Sequence, residues 1–143
     1  RHLTLRPALE SDVPFLLTLR LAAMAAHLRA AGVEPTAAES EQRVRADFDV
    51  AHVVELHGER IGLLKLARAP GEWRLLQVQL LPRHQRQGIG THLIGQVLQQ
   101  ARAQGTPVTL SVLSANPAQR LYERLGFEVE SMTEHGYAMR CRG

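Results

Sequence analysis

The sequence predicts a mixed α/β domain, a sheet with helices on both faces, and three observations carry that reading. Short stretches alternate apolar and polar residues and are bounded by Pro or Gly, as half-buried strands are. Between them, apolar residues return at helical spacing. The stretches fall in the order β-α-α-β-β-β-α-β-α-β-β, and the 143 residues show no internal repeat or linker, so one domain spanning 1–143 is expected.

Each element has its own signal. HLTLR (2–6) alternates like a strand and ends at Pro7. Ser11 and Asp12 supply N-cap chemistry for a helix from Val13 to about Ala31, with Phe15, Leu16, Leu19, Ala23, Met24 and His27 at helical spacing and Gly32 as its stop. Residues 36–48 predict a second, more polar helix capped by Thr36. AHVVELHGERIGLLKLARA (51–69) reads as two strands joined at His57–Gly58–Glu59, and WRLLQVQLL (73–81) follows the Pro70–Gly71 turn as a third. Gly88–Gln104 is helical, with Ile89, Leu93, Ile94, Val97 and Leu98 on one face and Gly105 as its C-cap. VTLSVL (108–113) is a strand, Asn116–Leu125 a short helix closed by Gly126, and residues 127–132 and 136–141 are the last two strands.

Composition excludes several classes of function. The chain is 45% apolar and 22% charged, with a formal net charge of +3. Basic residues alternate with acidic ones and no long run of like charge occurs, so no nucleic-acid partner is expected, while a small anion is compatible. Lys65 is the only Lys and Cys141 the only Cys, which rules out an intrachain disulfide. No apolar stretch approaches the roughly 18 residues that span a bilayer. The chain starts at Arg1 with no signal-peptide pattern, so no membrane partner and a cytoplasmic location are expected.

LLPRHQRQGIGTHLI (80–94) raises the chemical question. Pro82 ends a strand, and a basic, glycine-broken turn leads straight into a helix. Gly88 and Gly90 allow positive φ and close backbone approach. The N–H groups from about Arg86 to Thr91 lie at the positive end of a helix dipole, which suits a pyrophosphate, and Arg83 and Arg86 add positive charge. Leu93 occupies the place of the third glycine in GxGxxG, and no Walker GK[ST] occurs, so neither a dinucleotide-dependent hydride enzyme nor a P-loop NTPase is indicated.

A second segment, SVLSANPAQRLYERLGFEVES (111–131), completes a pattern. Gln85-Arg86-Gln87-Gly88-Ile89-Gly90 resembles the Q/R-x-x-G-x-G/A acyl-CoA signature of the GCN5-related N-acetyltransferase (GNAT) superfamily. Asn116 and Leu121-Tyr122-Glu123-Arg124-Leu125-Gly126-Phe127 are similar to its N…LYexxGF segment, and RPALESD resembles its usual opening. The resemblance covers nearly the whole chain. It implies a GNAT-like mixed, mostly antiparallel sheet of about seven strands with four helices on both faces. It also implies acetyl-CoA as cosubstrate and transfer of its acetyl group to a primary amine of a small molecule or peptide.

By the same resemblance, Val78, Gln79 and Leu80 present backbone groups to the pantetheine arm. Gln85, Arg86, Gln87, Gly88, Ile89, Gly90 and Thr91 form the pyrophosphate loop, and Asn116 bonds the cofactor arm. An N–H near Leu80 polarises the thioester carbonyl, and Tyr122 protonates the departing thiolate. Asn116 stands six residues before Tyr122 where many relatives have seven. Related domains often pair, so a monomer or homodimer is implied.

An alkylamine with pKa near 10.4 is charged at neutral pH, and removing its proton costs roughly 4–5 kcal/mol at pH 7. The strand EWRLLQVQLL carries no Asp, Glu or His over residues 73–81, where relatives often hold a base. Glu72, Glu55, His27 or a water chain are the candidates, and both glutamates and His27 read more simply as solvated or core residues. His52 and His57 make poor metal geometry, and no metal is expected. Met24, His27 and Leu28 sit where the resemblance implies an acceptor wall, and Trp73 is an acceptor-pocket aromatic or a strand anchor. Cys141 lies away from the signature, so direct transfer without a covalent enzyme intermediate is expected. The rival reading is a non-catalytic acyl-CoA-binding sensor or interaction module of the same fold.

Overall fold

The computed structural model describes residues 3–30, 32, 36–114, 116 and 118–142, and for 24–30 the backbone alone. The strands are β1 (Leu3–Pro7), β2 (Ala51–Leu56), β3 (Glu59–Ala69), β4 (Glu72–Leu80), β5 (Val108–Leu113), β6 (Glu128–Met132) and β7 (Gly136–Cys141). The helices are α1 (Val13–Ala30), α2 (Ala37–Arg45), α3 (Ile89–Ala103) and α4 (Ala118–Arg124). The seven strands form one sheet in the order β1-β2-β3-β4-β5-β7-β6. The pairs β1/β2, β2/β3, β5/β7 and β6/β7 are antiparallel. β4 and β5 run parallel, and among the described residues their register comprises Trp73↔Val108 and Arg74↔Thr109, near the start of each strand.

The chain forms two compact units, Arg1–Lys65 with Gln77–Gln87, and Leu66–Leu76 with Gly88–Gly143. In the first, Val13, Leu16 and Leu19 of α1 cluster with Val44 of α2, Ala51 and Leu63, and Phe15, Phe48 and Leu81 pack against them. A buried carboxylate ties the start of α1 to the sheet. Asp12, 1% exposed, accepts both Arg6 Nη1 and Nη2 at 2.8 Å, Arg60 Nη1 at 3.2 Å and the Leu9 amide at 2.7 Å. Arg6 also donates to Glu55 at 3.0 Å, and the Arg60 guanidinium lies over the Phe15 ring. Asp12 therefore serves this network rather than acting simply as the cap expected from the sequence.

Thr36 does cap α2, accepting the Glu39 amide at 3.1 Å. That helix ends at Arg45 rather than 48. Buried Lys65 donates Nζ to the carbonyls of Arg43, Val44 and Ala46 at 3.2, 3.1 and 2.5 Å, satisfying acceptors that a further turn would have used. Asp47 then takes φ 54 and the chain enters a short 3-10 turn at Phe48–Val50. Burial lowers the ammonium's pKa, and the carbonyls supply the solvation it lost.

In the second unit, Ile89, Leu93, Ile94, Val97, Leu98 and Ala101 of α3 are buried, the face the sequence predicts. Trp73 is buried beneath the Arg68 guanidinium at 4.9 Å, and its amide bonds the Pro107 carbonyl, so it is a strand anchor. Tyr122 meets Phe127 edge-on, with ring centroids 5.8 Å apart.

The Arg6 and Arg60 contacts hold the Asp12 carboxyl well below the usual carboxylate range. A depressed pKa contributes stability above the unfolded value of 3.8, and that stability is lost as pH falls below it. Asp12→Asn should lower unfolding free energy by about 1–3 kcal/mol at pH 7. In urea titrations, the gap between parent and variant should narrow as pH falls from about 4; a gap that stays constant down to the acid limit would show that the charge contributes nothing.

Candidate functional site

The site begins with a glycine that no motif marks. A Cβ at Gly62 in β3 would lie 2.5 Å from the Gln79 carbonyl oxygen and 2.7 Å from Leu80 Cδ2. The Gln79 oxygen therefore points at β3. The Gln79–Leu80 peptide is trans, so the Leu80 N–H on the same plane points away from β3. The next peptide agrees: Leu81 N–H bonds the Ile61 carbonyl at 2.9 Å, which turns the Leu80 carbonyl away from β3 as well. That carbonyl accepts Gln85 Nε2 at 3.0 Å. The end of β4 thus turns the Leu80 N–H to the edge away from β3, with Val78 and Gln79 half-buried before it.

The loop that follows is stitched to itself. Pro82–His84 form a 3-10 turn, Gln85 N–H closes it on the Pro82 carbonyl, and Gln87 Nε2 donates to the Arg83 carbonyl at 3.0 Å. Arg83 is ion-paired with Glu59, so part of the positive charge expected of it for an anion is offset. Arg86 is exposed and takes φ 62, a left-handed conformation unusual for a side-chain-bearing residue, and Gly88 takes φ 79. Nothing lies within 4 Å of where a Gly88 Cβ would be, so Gly88 is required for its conformation and leaves its surroundings open.

Gly88 is the N-cap of α3, and the first helical bond is His92 N–H to the Gly88 carbonyl at 3.0 Å. The N–H groups of Ile89, Gly90 and Thr91 precede it and have no intrahelical partner, as at any helix start. Ile89 is 2% exposed, so its side chain anchors the helix and only its N–H can serve a ligand. Gly90 is half-buried, and Gln85, Gln87 and Thr91 are exposed. Left-handed backbone, open N–H groups and an exposed guanidinium fit an anion with several oxygens.

Asn116 Oδ1 accepts the Ala118 amide at 2.9 Å, so its carbonyl starts α4, and its NH2 group is the part that can reach a ligand. Tyr122 on α4 is half-buried, and burial raises its pKa. The carboxylates considered as bases are otherwise engaged. Glu55 pairs with Arg6, and Glu72 accepts Thr109 Oγ1 at 3.2 Å and Arg140 Nη2 at 2.9 Å. The side chains of Met24, His27 and Leu28 lie outside the described residues. Among the described residues no group of three or more His, Cys, Asp or Glu is arranged to hold a metal, and no helix is long and apolar enough to cross a membrane.

Residues 19–127 match the family model described as the acetyltransferase (GNAT) family. No curated protein matches the sequence. Solved structures share the fold. The PaiA N-acetyltransferase of Thermoplasma acidophilum in complex with coenzyme A is 17% identical over 100% of both chains, with a TM-score of 0.77. The ribosomal-protein-S18-alanine N-acetyltransferase of Escherichia coli is 20% identical over 99% of this chain and 94% of its own, with a TM-score of 0.74. Ard1 of Thermoplasma volcanium is 21% identical over 98% and 97%, with a TM-score of 0.70.

The Gly88 geometry predicts a graded series. Because the requirement is positive φ and not space, Gly88→Asn should be better tolerated than Gly88→Ala, and Gly88→Val worst, with costs of about 1–2 kcal/mol for the strained variants. Thermal and urea denaturation measure the series; equal losses for Asn and Val would contradict the conformational account.

Proposed function

The chain belongs to the acetyltransferase (GNAT) family, whose cosubstrate is acetyl-CoA, and we propose that it transfers the acetyl group directly to a primary amine of a small molecule or peptide. The observation that carries this reading is the Leu80 N–H, turned away from β3 at the end of β4 just before the loop that opens α3. The matched region draws on both compact units, and we take residues 1–143 as one acetyltransferase domain.

Acetyl-CoA supplies an activated thioester, and the protein's own groups bind and polarise it. With the Gln79 carbonyl turned to β3, it is the Val78 backbone that pairs with the pantetheine amides, and the Leu80 N–H donates to the thioester oxygen as negative charge develops there. The segment Gln85–Thr91 receives the pyrophosphate, with Arg86 contributing charge and the N–H groups of Ile89, Gly90 and Thr91 contributing donors. Asn116 Nδ2 donates to the cofactor arm. Tyr122 gives its proton to the leaving thiolate, its phenol being protonated at neutral pH.

With Glu55 and Glu72 held in ion pairs, a water chain is the route taken here for the acceptor's proton, with His27 as the protein base that the pH profile would reveal. For an alkylamine acceptor, kcat/KM should then rise with pH toward the amine's own pKa near 10.4; a plateau beginning near neutrality would reveal a protein base. A peptide amine stays among the acceptors because a structural neighbour is named for acetylating alanine of ribosomal protein S18.

Steady turnover of acetyl-CoA with a panel of amines, amino acids, polyamines and peptides tests the reading. Acetyl transfer to at least one is expected. Tight CoA binding with no transfer to any member would instead support an acyl-CoA-binding sensor or interaction module. Tyr122→Phe keeps the ring against Phe127 and removes the proton. Its single-turnover rate should fall about 10- to 1,000-fold with acetyl-CoA affinity little changed, and a parent-like rate would remove Tyr122 from the chemistry.

A further inference from the structure

We propose that Gly62 and Gln85 are positioning residues that fix the Leu80 peptide as the donor to the thioester oxygen. The proposal rests on the acetyl-transfer reading above and adds two residues to it, one of them outside every motif. Gly62 sits inside an apolar strand, where glycine forgoes packing and costs roughly 0.5–1 kcal/mol relative to Ala. Among the described residues its φ is not one of the positive values, so conformation does not explain it. Space does. Its missing Cβ is the volume into which the Gln79 oxygen and the Leu80 side chain fit, at 2.5 and 2.7 Å from that Cβ position.

The consequence follows from peptide planarity. Gln79 C=O and Leu80 N–H are opposite ends of one rigid unit, so whatever sets the carbonyl aims the amide. A methyl group at position 62 displaces the oxygen and rotates the amide with it. Gln85 acts on the other side of the same residue: its Nε2 at 3.0 Å from the Leu80 carbonyl fixes the following peptide, whose N–H is already bound to Ile61. Leu80 is thereby held through both its peptides, and its own N–H is the member of the set left for a substrate. Donors of this kind act by being oriented before the charge develops, so small rotations cost rate more than they cost ground-state binding.

The test compares single-turnover acetyl transfer and CoA affinity in Gly62→Ala and Gln85→Met. Gln85→Met keeps the side-chain length and removes the donor without adding charge to the loop that receives the pyrophosphate. Removing an oxyanion donor outright costs about 10²–10³ in rate, and misaiming it should cost roughly 10- to 100-fold in both variants. CoA affinity should stay within about threefold, a split between rate and affinity that a loss of general stability would not reproduce.

The Leu80 amide resonance supplies a second readout that needs no amine acceptor. It should shift when acetyl-CoA is added to the parent and shift less in Gly62→Ala. If Gly62→Ala does not fold, Gln85→Met decides by the same two measurements. A parent that binds acetyl-CoA but acetylates nothing would defeat the acetyl-transfer reading while the resonance still tests the positioning. Parent-like rates in the folded variants would overturn the proposal. Rate and affinity falling in parallel, or a Leu80 amide that ignores acetyl-CoA in the parent, would overturn it as well.

Discussion

The close approach of the Gln79 carbonyl to Gly62 is the contact on which the functional end of β4 depends. It requires a residue without a Cβ in the middle of β3, and through one planar peptide it decides which way the Leu80 amide faces. Leu81 N–H on Ile61 and Gln85 on the Leu80 carbonyl then leave that strand end little freedom. The chemistry proposed for this protein needs a donor fixed in advance, and here the backbone provides one without a polar side chain.

The charge distribution fits the same picture. Acidic groups that might have served as bases or repelled an anion are paired: Asp12 and Glu55 with Arg6, Glu59 with Arg83, and Glu72 with Arg140. Arg86, by contrast, stands exposed in a strained left-handed turn between the stitched 82–85 segment and Gly88. Such strain costs on the order of 1–3 kcal/mol and persists where the surrounding bonds impose it. Here Gln85, Gln87 and the 3-10 turn impose it, and the result is a run of backbone N–H groups ahead of α3.

Much of this was legible in the sequence, and the reasons differ by element. The order of strands and helices followed from periodicity and from Gly and Pro punctuation, and Thr36 was readable as a cap because N-cap chemistry is local. The end of α2 was not, since it is set by Lys65 from a strand distant in sequence. The pairing of Arg83 was not legible either, because Glu59, its partner, lies 24 residues upstream. Gly62 carried a faint signal, a glycine inside IGLLKL, that a close backbone approach would explain, but only the fold reveals which backbone approaches. The loop glycines and Tyr122 could be proposed from the sequence because their motifs are contiguous; the engagement of Glu55 and Glu72 could not be read, because ion pairs across strands leave no local pattern.

The account is tested most directly by the crystal structure of the protein bound to CoA. It predicts the pyrophosphate oxygens within hydrogen-bond distance of the N–H groups of Ile89, Gly90 and Thr91, and the pantetheine amides paired with the backbone of Val78. The thiol should then lie beside the Leu80 amide. A pyrophosphate bound elsewhere, with the 86–91 backbone left facing solvent, would contradict it.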